Sequence, residues 1–223
     1  AVYHHHGIHH NNSYERSEGV VKIINNIDKA YAENIPDALL PENNINYAIV
    51  PIDNFKDNIE FKKELITNLL LQLTKSKYIN KIFLISKDNN FIDNKKIIYI
   101  PRSKAKLKNN DSIEILMSKS FKVIQSNYKY PNSLIFVNYD YINRPQNLFD
   151  TVIKNFYLND NDSLFPCLLD YGHYWYKNQQ NEYSQTDVSL KNRSQRTPLY
   201  KALYGLCCVT TPRNVINKKL IGG

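Results

Sequence analysis

Residues 46–52, NYAIVPI, and residues 59–86, IEFKKELITNLLLQLTKSKYINKIFLIS, decide the fold class. The first is a short apolar run suited to a buried strand. In the second, Phe61, Leu65, Ile66, Leu69 and Leu73 recur on one helical face before the apolar run KIFLIS at 81–86. A strand, a helix and a second strand joined by short links form a parallel unit, because parallel strands need a crossover of this length. The rhythm continues outward. IIYI (97–100) and SLIFVN (133–138) read as strands, and so do 163–169 and 203–209. Asp111 opens a helix through 126 with Glu114 three residues on in a capping arrangement. Pro145 begins a helix carrying Leu148, Val152, Ile153 and Phe156, and a short helix follows Pro212. The expectation is an α/β fold with a mostly parallel, doubly wound sheet and helices on both faces.

Upstream, Val20, Val21, Ile24, Ile27 and Tyr31 predict an amphipathic helix over 18–34, ended by Pro36 and Pro41. The first dozen residues hold five of the six histidines (His4, His5, His6, His9 and His10), expected as a loose tail rather than a metal site. Residues 1–45 are therefore read as a tail and helix, and 46–223 as one α/β domain. The stretch 171–200 breaks the rhythm. It is polar and rich in Tyr, Asn and Gln, as expected of a substrate loop or a dimerisation arm.

Composition narrows the function. The 223 residues are 42% hydrophobic and 12% aromatic, which supplies a core and argues against a disordered chain. No apolar run reaches the ~20 residues of a membrane span, and the polar, His-rich start predicts no signal peptide. Cys167, Cys207 and Cys208 make no paired framework and read as buried thiols of a reducing, cytoplasmic compartment. The formal charge of +8 would usually raise nucleic acid as a partner. Its densest stretch, Arg102 to Lys108, is read as a solvated loop, because no aromatic-plus-basic platform accompanies it. Six glycines occur in all, none between Gly19 and Gly172, which excludes glycine-rich phosphate loops from the middle of the chain.

In open α/β sheets ligands bind beyond the carboxyl ends of the strands, here just after 51, 86, 100 and 138. Those strand ends, read in order, resemble the CMP-sugar synthetases of the acylneuraminate cytidylyltransferase family. AIVPI (48–52) stands where that family's opening strand ends in I-P-A-R, and Ser86-Lys87-Asp88 where its second strand ends in S-T-D. IPRSKAKLKNNDSIEILMSKSF (100–121) is similar to its R-P loop and D-x-S-S-I-D-V-L helix. FVNYDYINRPQNLFDTVI (136–153) sits where L-Q-P-T-S-P-L-R-x-x-x-D-I-D belongs. HYWYK (173–177), QRTPLYKALYGLCCV (195–209) and LIGG (220–223) resemble P-Y-W-M-x-K, Q-D-L-P-x-x-Y-x-x-N-G-A and L-I-G-G.

The resemblance covers 46–223 and implies a nucleotide-diphospho-sugar transferase fold that moves CMP from CTP to a sugar acid, with Mg²⁺ as cofactor. It implies Lys56 and Arg144 as catalytic cations, and Pro51, Lys56, Asn58, Asp88, Arg102 and Asn138 around the nucleotide. Gln195, Arg196, Tyr200 and Gly205 would line the sugar side, and Asp88 and Asp140 would hold the metal. A homodimer through 171–200 is also implied. Two departures matter. The loop after the first strand, Pro51-Ile52-Asp53-Asn54-Phe55-Lys56-Asp57-Asn58, has no Gly or Arg and two carboxylates that repel a triphosphate. The family also continues past L-I-G-G into aspartates that hold Mg²⁺, whereas this sequence stops at Gly223. The alternative expectation is an inactive relative that binds nucleotide or sugar in a surface-polysaccharide pathway.

Overall fold

A computed structural model describes residues 2–5, 20–23, 44–52, 59–87, 91–185 and 191–222. The chain forms two compact units, Ala1–Pro166 with Leu203–Gly223, and Cys167–Ala202. The larger unit is built on eight strands: β1 (Val2–His5), β2 (Val20–Ile23), β3 (Asn46–Pro51), β4 (Lys81–Ser86), β5 (Ile97–Pro101), β6 (Ser133–Phe136), β7 (Ser163–Phe165) and β12 (Cys208–Thr210). They lie in the order β2-β1-β7-β12-β6-β3-β4-β5. The central β6-β3-β4-β5 block is parallel, with Ala48 opposite both Ile82 and Ile135. β12 runs antiparallel to β6 and β7, and β1 antiparallel to β7 and β2.

The packing explains why the central strands are apolar throughout: both faces are covered. Ala48 and Val50 of β3 face one way, with Ile82, Leu84 and Ile135. They meet Ile66, Leu69, Leu70 and Leu73 of α1 (Ile59–Lys75) and Val152, Ile153 and Phe156 of α3 (Leu148–Leu158). Tyr47 and Phe83 face the other way and stack edge-to-face at 5.2 Å, on the side of α2 (Ile113–Gln125) with its buried Met117 and Phe121. Burying each such side chain contributes about 1.5–3 kcal/mol. Polar bonds tie the lower edge: Asn46 Oδ1 accepts from Ser133 Oγ (2.8 Å) and Tyr157 Oη (2.5 Å).

Five local expectations are corrected. Val20–Ile23 is a strand paired with Val2–His5, not part of a helix, and the rest of 18–34 lies outside the described residues. The same pairing makes Val2–His5 a strand on β7 rather than a loose tail. Helix α2 is capped by Ser112, whose Oγ accepts from the Ile115 N–H (3.4 Å), because Asp111 is drawn instead to the Lys108 N–H (2.8 Å) and Lys119 Nζ (2.7 Å). Helix α3 starts at Leu148 after Asn147, and Pro145 closes the preceding turn through the Leu148 N–H. The strand expected at 163–169 breaks at Pro166, beyond which β8 (Cys167–Asp170) pairs in a separate sheet with β11 (Leu199–Ala202).

The smaller unit, 167–202, holds that pair and a second hairpin, β9 (Trp175–Lys177) with β10 (Tyr183–Gln185). Its expected irregularity is thus partly ordered. The last helix, α4 (Pro212–Ile216), starts as expected, with Thr211 as its cap. Among the described residues no helix is long and apolar enough to cross a membrane.

Candidate functional site

Chain order and sheet order diverge at β3. Its crossover through α1 leads to β4 on one side, while β6, reached later through α2, pairs on the other. The carboxyl ends of β3 and β6 therefore part around a topological switch point, where open α/β sheets form their ligand crevice. Pro51 and Ile52 stand on one lip, Val137 and Asn138 on the other. The Ile52 N–H donates to Ile85 O (2.8 Å) and the Val137 N–H to Ile49 O (3.3 Å), so both lips continue the ladder.

Asn138 is half-buried and faces along the chain to Asp140. Its Nδ2 donates to the Asp140 carboxylate (3.0 Å), and its Oδ1 accepts the Asp140 N–H (3.3 Å). The Asn138 N–H donates to Gly205 O (2.7 Å). The pair therefore presents a carboxylate and an amide, each with hydrogen-bonding capacity to spare. Gly205 has a packing reason: an added Cβ would lie 2.7 Å from Tyr141 Cε2 and 2.9 Å from Asn138 Cβ.

Both arginines of this region turn toward the protein. Arg144 donates from Nε to Leu206 O (3.3 Å), from Nη1 to Tyr141 O (2.5 Å) and from Nη2 to Asn138 O. Three of its five N–H groups thus clamp the β6 exit to the segment before β12. Its guanidinium also lies 6.0 Å from the centre of the Tyr141 ring. Burial lowers its pKa to about 10, and the same burial pushes the neighbouring Cys207 thiol up to about 12, partly offset by the arginine. Arg102 is buried at 5% exposure and donates from Nη1 to Ile52 O (3.0 Å), bracing the end of β3 from the end of β5. Tyr141 is the residue that sequence reading missed. Nothing local in the sequence signals that its ring packs between Gly205 and Arg144.

Pro51, Arg102, Asn138, Asp140, Arg144 and Gly205 all belong to the larger unit. Lys56, Asn58 and Asp88 lie outside the described residues. Gln195, Arg196 and Tyr200 belong to the smaller unit, where Gln195 and Tyr200 are exposed. There Arg196 donates from Nε to Lys191 O (2.5 Å) and from Nη1 to Tyr171 O (2.7 Å). A cavity of about 400 Å³ opens elsewhere, between Gln72, Lys75 and Ser76 and the segment 144–150. Of the expected site residues it takes in Arg144 alone. Among the described residues no three His, Cys, Asp or Glu side chains gather together.

The sheet order and its switch point define a mixed α/β fold with a mostly parallel central sheet. Solved cytidylyltransferases share it. A 4-diphosphocytidyl-2C-methyl-D-erythritol synthase from Anaerococcus prevotii is 11% identical with a TM-score of 0.51, over 78% of this chain and 74% of its own. The 2-C-methyl-D-erythritol 4-phosphate cytidylyltransferase of Francisella tularensis is 13% identical (TM-score 0.50, 75% and 73% covered). A CMP:2-keto-3-deoxy-manno-octonic acid synthetase, solved in complex with CTP, is 9% identical (TM-score 0.51, 78% and 76%). At these identities the likeness is one of fold. No protein-family model matches the chain, and no curated protein matches it in sequence.

Proposed function

We propose that this protein is a cytidylyltransferase-type enzyme that transfers CMP from CTP to a sugar acid. The observation that carries the reading is the Asn138–Asp140 pair at the switch point of a sheet shared with solved cytidylyltransferases. In the reaction a sugar hydroxyl oxygen bonds to the α-phosphorus, the bond from that phosphorus to the bridging oxygen breaks, and pyrophosphate leaves with the electron pair. The hydroxyl proton passes to solvent or to a neighbouring base. The protein's task is positioning and electrostatic stabilisation. The free capacity of Asn138 and Asp140 suits the hydroxyl and amino groups of a nucleoside, and Pro51 and Ile52 supply the opposing lip. Gly205 is proposed for the sugar side, and Lys56, Asn58 and Asp88 for the phosphates and their Mg²⁺.

A second reading has its own support. Arg102 and Arg144 are engaged with backbone carbonyls, and the loop after β3 carries Asp53 and Asp57. Those features favour a relative that binds nucleotide or sugar without turnover. Calorimetric titration with CTP, with and without Mg²⁺ and with CMP and ATP as controls, separates the two. CTP binding followed by pyrophosphate release on a panel of sugar acids supports the enzyme. Binding of CMP alone supports the sensing relative, and no nucleotide binding refutes the enzyme and any nucleotide-binding relative, leaving only one that binds sugar. A homodimer through 171–200 is proposed on the exposure of Trp175 (59%), Tyr176 (54%) and Tyr183 (71%), since clustered exposed aromatics mark interaction surfaces. A monomeric mass in light scattering rules it out.

A further inference from the structure

A nucleotide triphosphate needs cations, and the loop after β3 offers two carboxylates and a single lysine, Lys56. The arginines at the carboxyl ends are engaged, Arg144 with three carbonyls and Arg102 with Ile52 O. Lys87, after β4, is followed by the offsetting charge of Asp88. The turn after β5 differs. Lys104 and Ala105 N–H groups donate to Pro101 O (2.9 and 3.4 Å), Lys106 N–H to Ser103 O (3.0 Å) and Leu107 N–H to Arg102 O (3.2 Å). Ala105 is buried, and Lys119 Nζ bonds Lys106 O (3.2 Å) and the Asp111 carboxylate (2.7 Å).

This turn is therefore held from several sides while the Lys104 and Lys106 side chains stand exposed. Asp111, its own carboxylate, is occupied by Lys119. Among the described residues neither lysine forms an ion pair. Lys106 also holds a φ of 51°, a left-handed conformation that glycine normally fills. Strained backbone of this kind, kept by its surroundings, recurs at ligand clamps. β5 lies two strands from β3, roughly 10 Å at the usual strand spacing. Arg102 already bridges that gap to Ile52 O.

We infer that Lys104 and Lys106 hold the terminal phosphates of the bound nucleotide, in place of the glycine-rich loop this chain lacks. The inference rests on the nucleotide reading above. The test is titration of the full chain and of its K104Q/K106Q variant with CTP, CMP and inorganic tripolyphosphate. The expected result is a tenfold or greater loss of CTP affinity in the variant, with CMP affinity within twofold of the unaltered chain. Tripolyphosphate should compete with CTP only in the unaltered chain. Equal CTP affinity in the two proteins overturns the lysine assignment and leaves the nucleotide reading standing. A parallel loss of CTP and CMP also overturns it, because the lysines then act on more than the phosphate tail. Absence of CTP binding to the unaltered chain overturns both.

Discussion

Replacing Gly205 with alanine tests the account of the crevice wall. The new methyl group would lie 2.7 Å from Tyr141 Cε2 and 2.9 Å from Asn138 Cβ, both closer than carbon atoms pack. Gly205 does not adopt a positive φ, so backbone strain plays no part. Asn138 has little room to yield: its N–H bonds Gly205 O (2.7 Å), and its carbonyl is held by Arg144. The Tyr141 ring has to move, and with it the carbonyl that Arg144 grips at 2.5 Å. Overpacking of this kind costs about 1–3 kcal/mol. Alanine returns about 0.4–1 kcal/mol by restricting the unfolded chain. The net expectation is a loss of about 1–2 kcal/mol, or a melting temperature lower by about 2–8 °C for a domain of this size. Urea unfolding of G205A without ligand measures it, with the slope unchanged and the midpoint lowered. Removing the ring as well, in Y141L/G205A, should recover part of the loss, with a coupling of about 1 kcal/mol. A G205A midpoint equal to that of the unaltered chain would refute the packing argument.

Arg144→Met strands three carbonyls in a half-buried place and should cost about 3 kcal/mol of stability, with Arg144→Lys recovering little because ammonium lacks the planar fork. Full stability of R144M in thermal unfolding would show that the clamp is dispensable. Alkali provides another check. The Cys207 thiol is raised in the fold from 9.0 to about 12, so the native state holds its proton more tightly than the unfolded chain. The stability this contributes is complete below pH 9 and is lost as pH rises toward 12, at up to about 1.4 kcal/mol per pH unit. The alkaline fall in stability between pH 9 and 11 should be shallower in C207A, and identical slopes would contradict the burial of that thiol.

The sequence by itself determined the parallel core and its helix α1. A strand covered on both faces is apolar at every position, and a crossover helix shows its apolar stripe at helical spacing. Both signals are local. The carboxyl ends of β3, β5 and β6, at Pro51, Pro101 and Phe136, were legible to within two residues for the same reason, since each strand stops close to where its apolar run stops. Val20–Ile23 was not legible. Its apolar residues also suit helical spacing, and what makes it a strand is pairing with Val2–His5. The arginines show the limit most clearly. A guanidinium in a polar loop reads as a hand for phosphate, yet Arg102 reaches a carbonyl 50 residues away and Arg144 one 62 residues away. Gly205 likewise owes its glycine to a tyrosine ring from another loop. Side-chain type and local spacing are written along the chain. The direction in which a long polar side chain spends its hydrogen bonds depends on which distant carbonyls the folded sheet brings within reach, and only the tertiary structure decides that.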